Sequence, residues 1–130
     1  MRCWRVEHKM LRLSKYHRHM TDEMREPTFF LLTALLDGQK HGYALISEVA
    51  TLSENRLSLQ VGTLYGALDR LAQKGWVSES GTEVVAGRHR RYFVITDKGV
   101  TALEVESERL RARAARATTL LTRRRESFAS

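Results

Sequence analysis

The chain of 130 residues has one cysteine, Cys3. An intramolecular disulfide is therefore impossible, and a zinc site built on several cysteines is excluded. That usage suits a reducing compartment, so a cytoplasmic protein is expected. No apolar run approaches the ~20 residues needed to span a bilayer. The basic N-terminus also lacks the apolar core of a signal peptide, and no membrane partner is expected. Catalytic signatures are missing too. There is no glycine-rich phosphate loop, no HExxH pair and no convincing nucleophile–base pairing. Neither an enzyme nor a cofactor is expected. The five histidines are scattered, and His17 with His19 makes only a weak ligand set, so no metal site is assigned. No exposed aromatic platform for stacking single-stranded bases stands out, which disfavours RNA.

What remains is basic and apolar. Hydrophobic residues make up 42% of the chain, enough for a core, and 22 Lys and Arg against 15 Asp and Glu give +7. Such a balance favours polyanionic partners, but it is uneven. Six basic residues and one acid fall within residues 1–19, leaving only +2 elsewhere. Local placement must carry the argument. Residues 1–23 read as a basic arm, flexible or weakly helical. They are either a tail upstream of a start at Met20 or Met24, or an arm that contacts DNA or clasps a partner.

Three helices follow. Pro27 suits a first helical position, and Glu26 favours the positive helix end. Phe29, Phe30, Leu31, Leu32, Ala34, Leu35 and Leu36 make this helix apolar on most sides, and Asp37-Gly38 ends it. His41-Gly42-Tyr43 opens a second helix whose buried face is Tyr43, Leu45, Ile46, Val49 and Ala50. A third runs from about Gln60 or Val61 to Lys74, closed by Gly75. Val61, Leu64, Tyr65, Leu68, Leu71 and Ala72 form its apolar stripe. Gln60, Thr63, Ala67, Arg70 and Lys74 share the other side, which Gly62 and Gly66 keep low. A flat, hydrogen-bonding helix face suits a major groove, where short polar side chains reach base edges; it equally describes a solvated face.

The next segment shifts that balance. Trp76-Val77 begins a strand, and Arg91-Tyr92-Phe93-Val94-Ile95-Thr96 returns antiparallel to it, with Ala86-Gly87-Arg88-His89 near the tip. Arg88, Arg90 and Arg91 crowd that tip and repel one another unless an anion is near; a phosphate backbone supplies one. A helix pair followed by a basic hairpin is the order of a winged helix-turn-helix.

Here the chain resembles the PadR family of bacterial transcriptional regulators. The resemblance rests on Gly62-Thr63-Leu64-Tyr65, Leu68, Arg70-Leu71, Gly75 and Val77. It continues through Gly87-Arg88, Arg90-Arg91-Tyr92 and Thr96-Asp97-Lys98-Gly99. Met24-Arg25-Glu26-Pro27-Thr28 and His41-Gly42-Tyr43 look like the family's opening. It covers roughly residues 24–122. It implies a dimer whose third helix enters the major groove while the wing tracks the backbone. It also implies repression of nearby genes, often relieved by a small aromatic or hydrophobic effector. Gly66 stands where many members have proline, and Gln60 where many have serine or a similar cap.

The final helix reads independently. Thr96 is a good N-cap, with Asp97 in the first turn. Val100, Leu103, Ser107, Leu110, Ala114, Ala117 and Leu121 alternate at steps of three and four, a heptad seam that packs on another chain or on the buried first helix, with homodimerisation favoured. The expected architecture is thus mainly α with a small β-hairpin. Residues 24–96 form the winged helix-turn-helix domain, 97–122 a long C-terminal dimerisation helix, and 123–130 a frayed tail. Two third helices related by a two-fold axis would read an inverted-repeat operator. Gln60 and Thr63 are candidates for base edges. Arg70, Lys74, Arg88, Arg90 and Arg91 are candidates for phosphate, with His89 nearby; Tyr65 is either core alone, the favoured reading, or core with its hydroxyl on a phosphate. An effector would bind near Phe29, Phe30 and Trp76, although each is also an ordinary core residue. The competing reading is a protein-interaction module with no affinity for duplexes.

Overall fold

The computed structural model describes residues 24–129, so the arm expected over 1–23 lies outside the described residues. In chain order these are α1 (Glu26–Ala34), β1 (Lys40–His41), α2 (Gly42–Leu52), α3 (Val61–Gln73), β2 (Val77–Val85), β3 (Arg88–Ile95) and α4 (Asp97–Ala129). The three strands form one antiparallel sheet in the order β1-β3-β2. β1, only two residues, is too short to show any sequence period, and it adds a third strand to the expected hairpin.

One core joins the elements. Leu31, Leu32, Ala34 and Leu35 of the first helical segment meet Leu45 and Val49 of α2, Leu64, Leu68 and Leu71 of α3, Val77, Phe93 and Leu103. Burial of a leucine-sized side chain contributes about 1.5–3 kcal/mol, so α1, short as it is, is held by packing. Its far end departs from expectation. The helix closes at Ala34 and tightens through Leu35 N–H to Leu32 O and Leu36 N–H to Thr33 O, both 3.2 Å. Leu36 is thereby turned out, 53% exposed. Tyr43, expected on the buried side of α2, is also exposed, whereas Gly42 and Leu45 of the same turn are buried.

The connection between α2 and α3 is pinned by its own side chains. Buried Ser53 donates to Ala50 O (3.2 Å) and accepts from Leu57 N–H (3.0 Å). Arg56 grips both carboxylate oxygens of Glu26 at 2.6 and 2.7 Å, tying this turn to the start of α1.

Thr96 anchors α4 as expected. Its hydroxyl accepts from Gly99 N–H (3.0 Å) and donates to Gly75 O (2.5 Å), while its backbone N–H reaches Trp76 O (3.0 Å). The helix then packs on α1 through Leu103 and buried Glu106, whose carboxylate is held by Arg109 at 2.9 Å. Beyond that turn it leaves its own domain. The tail expected from residue 123 is instead helical to Ala129. Good helix formers fill this stretch, and Arg124 lies 4.8 Å over the ring of Phe128, an i,i+4 contact that supports the last turns.

Candidate nucleic-acid interface

The amphipathic pattern of α3 positions its outer face. Leu64, Ala67, Leu68 and Leu71 are buried. Ala67 therefore does not belong to the polar side, as the spacing had suggested. Its methyl is small enough to pack inward beside Leu64 and Leu71. The exposed residues include Gly62, Thr63, Asp69, Arg70 and Gln73, and the outer face is turned by about one residue step, roughly 100°, from the expected one. Thr63 and Arg70 stay on it. Gln60 is exposed at the N-cap without a capping bond, and Lys74 is exposed at the C-cap with its Nζ 4.8 Å over Trp76. Asp69 and Gln73 were missed. The buried Leu64, Leu68 and Leu71, taken with Ala67 as apolar, point directly away from them.

Tyr65 takes the core role. Its ring sits 6.3 Å from Phe93, and its hydroxyl is so close to Gly42 that a Cβ there would lie 2.6 Å from it. Val61 and Ala72, expected in the apolar stripe, are exposed at its edge.

The hairpin turns at Ala86-Gly87, with φ of 53° and 77°. Two successive positive φ values match the right-handed twist of the strands, as in a type I′ turn. Register runs from Val85↔Arg88 to Val77↔Ile95, interrupted by a bulge between Glu79 and Gly81. Arg88 and His89 are exposed at the tip; Arg90 and Arg91 are half-buried further down.

Alternation separates the arginines chemically. Arg90 lies on the side of Tyr92, with its Nη1 3.4 Å from His41 Nε2. His41 was read only as part of a helix opening. It also caps α2 by accepting from Ala44 N–H (3.3 Å), and its ring stands edge-on to Tyr92. Tyr92 donates to Glu83 (2.7 Å), and that bond holds the phenol above its ordinary pKa. Arg91 lies on the side of Phe93. It forks onto Glu79 at 2.8 and 3.2 Å and reaches Asp69 of α3 at 3.6 Å. The bond from Arg91 holds the Glu79 carboxyl below its ordinary value and raises the guanidinium in turn. Two of the three guanidinium nitrogens of Arg91, expected among the phosphate ligands, are thus already bound to protein carboxylates.

The aromatic trio forms the rim of the core. Phe29 and Phe30 pair edge-to-face at 5.6 Å, Trp76 is covered by Lys74, and all three pack partly buried against the central cluster. Along the expected seam, Leu103 is buried within its own chain, Val100 is half-buried, and Ser107, Leu110, Ala114, Ala117 and Leu121 are exposed. Among the described residues, no three His, Cys, Asp or Glu side chains gather as a metal site, and no helix is long and apolar enough to cross a membrane.

A helix-turn-helix, an arginine-bearing hairpin and a long trailing helix define a winged-helix regulator. The sequence profile of the Transcriptional regulator PadR-like family matches residues 31–105, more than half of the chain. The chain belongs to that family. A regulator from Thermoplasma acidophilum is similar at 25% identity and a TM-score of 0.59, covering 74% of this chain and 89% of that one. A PadR family regulator from Eggerthella lenta has 22% identity and a TM-score of 0.57, over 85% and 96% of the two chains. Bacillus subtilis PadR, solved in complex with operator DNA, has 23% identity and a TM-score of 0.55 over 64% of this chain and 46% of its own. An uncharacterised protein of Lysinibacillus sphaericus is 28% identical over 69 residues, 53% of this chain. The match spans 63% of that relative's length.

Proposed function

We propose that this PadR-like regulator is a repressor without catalytic activity that binds an inverted-repeat operator as a homodimer. The observation that carries the reading is the junction of α3 and the hairpin. Arg91 links Asp69 of α3 to Glu79 at the base of the hairpin, which supports a reading in which the Thr63–Arg70 side of α3 and the arginine-tipped wing act on one duplex. A major groove admits such a helix, and Bacillus subtilis PadR, of like fold, is a DNA binder.

In this reading Gln60 and Thr63 meet base edges. Arg70, Lys74, Arg88 and Arg90, with His89, neutralise phosphate and hold register without carrying sequence information. The exposed Leu110, Ala114, Ala117 and Leu121 pair with a second copy, because most helical stability in proteins comes from packing an apolar face and this stretch has none within the described residues of its own chain. A small hydrophobic or aromatic effector would act by favouring one dimer arrangement, entering beside Phe29, Phe30 and Trp76.

The test is binding to duplexes selected from a random pool by the purified protein. Arg88→Ala with Arg90→Ala should weaken binding to all duplexes and make the salt slope shallower by roughly one to two units. An unchanged slope would remove the wing from the interface. Gln60→Ala or Thr63→Ala should relax preference at one position of each half-site; if every base preference survives both, the recognition residues are misassigned.

A further inference from the structure

We infer that Arg91 is a positioning residue that fixes the wing against α3 and so sets how strongly the protein prefers its operator over other duplexes. The inference rests on the DNA-binding reading above. Arg91 touches three elements besides solvent. Its Nε and Nη2 hold both Glu79 oxygens on β2, and the same Nη2 reaches Asp69 on α3. The guanidinium carbon also lies 5.3 Å over the ring of Tyr65 on α3 and 5.2 Å over Phe93 of its own strand. Glu79 is the last paired residue before the bulge, the place where the hairpin bends. The fork therefore holds the wing at its bend.

Two consequences follow from the chemistry. Asp69 is an exposed acid one residue before Arg70, and uncompensated it would repel a phosphate backbone. Arg91 sets its single positive charge 3.6 Å from Asp69 and shares it with Glu79, offsetting part of that repulsion. Second, operator binding needs the α3 face in the groove and the wing on phosphate at once, whereas attraction to any duplex needs only positive charge. A loose wing must be ordered on binding, and that penalty falls on the specific complex. Lysine cannot replace the fork, because a point charge does not bridge a carboxylate bidentately and stack on rings at the same time.

The experiment compares Arg91→Lys, Arg91→Gln and Asp69→Asn with the parent, on a selected duplex and a scrambled one, across a salt series. All three should lower the ratio of selected to scrambled affinity by about tenfold, as loss of preorganisation does. Arg91→Lys should keep the parent salt slope. If Arg91→Lys binds like the parent while Arg91→Gln weakens both duplexes equally and loses about one unit of slope, Arg91 is a phosphate ligand and the inference is overturned. Tighter binding of both duplexes by Asp69→Asn, with an unchanged ratio, would overturn it too. Amide exchange without DNA separates this from the parent reading. Arg91→Gln should speed exchange along residues 79–92 and leave the α1–α2 core protected. Unchanged exchange refutes the positioning role whatever the DNA result, and a parent protein that binds no duplex refutes only the functional reading.

Discussion

Gly99 is the residue with least latitude. A Cβ there would lie 2.1 Å from Trp76 O and 2.9 Å from Ile95 Cγ1, because α4 starts by sliding past the corner between α3 and β2. Gly99→Ala should therefore destabilise by about 1–3 kcal/mol, the range of overpacking, and thermal unfolding would register it. Gly66 is the opposite case. A Cβ there meets only Arg70 Nη1 at an ordinary 3.8 Å, and glycine inside a helix costs about 1 kcal/mol relative to alanine. Gly66→Ala should raise the unfolding temperature and lower duplex affinity, since the added methyl stands on the outer side of α3. Higher stability with unchanged affinity would mean that this side does not lie close to DNA. Ala86 holds φ of 53° in a turn that glycine or asparagine fills without strain. Ala86→Gly should stabilise the hairpin, by up to about 1 kcal/mol, seen as a higher urea midpoint.

Elements differ in how legible they were. The third helix was readable from its apolar period and closing Gly75, and the hairpin strands from their β-branched and aromatic residues on either side of Gly87. The rotational setting of α3 was less so: Ala67 fits either side by size, and only packing against Leu64 and Leu71 decides. β1 and the partnership of His41 with Arg90 join residues 49 positions apart, which no local pattern encodes. The division of the arginines was implicit in strand alternation, but the positions of Glu79 and Asp69 depend on a bulge and a helix rotation. The hairpin also carries a pH dependence. Because Arg91 holds the Glu79 carboxyl below its ordinary value, the pair stabilises the folded wing above the ordinary carboxylate range. That contribution is lost as pH falls through the lowered value. Measured against the intrinsic rate, which itself slows in acid, amide protection in the hairpin should fall as pH drops for the parent and fall less for Glu79→Gln; equal losses of protection would show that this pair is not the titrating element.

At the scale of the molecule, α4 divides into two parts. Its first three turns belong to the winged domain through Leu103 and Glu106. The remainder, about 30 Å from residue 110 to 129 at 1.5 Å per residue, carries Leu110, Leu120, Leu121 and Phe128 uncovered. The heptad seam read from sequence crosses both parts, so it could not tell which leucine serves the chain's own domain and which a partner. Leu110→Glu with Leu121→Glu should leave the winged domain folded, shift the particle to monomer and lower operator affinity. Light scattering and circular dichroism check the first two effects, and a dimer that survives both charges would move the interface elsewhere.

The most direct measurement is sedimentation of the chain with a duplex selected from a random pool, in low salt and again at higher salt. Two chains per duplex are predicted, with a complex that dissociates steeply as salt rises and a selected sequence with two-fold symmetry. A single chain that fails to sediment with any duplex at low salt would contradict the account.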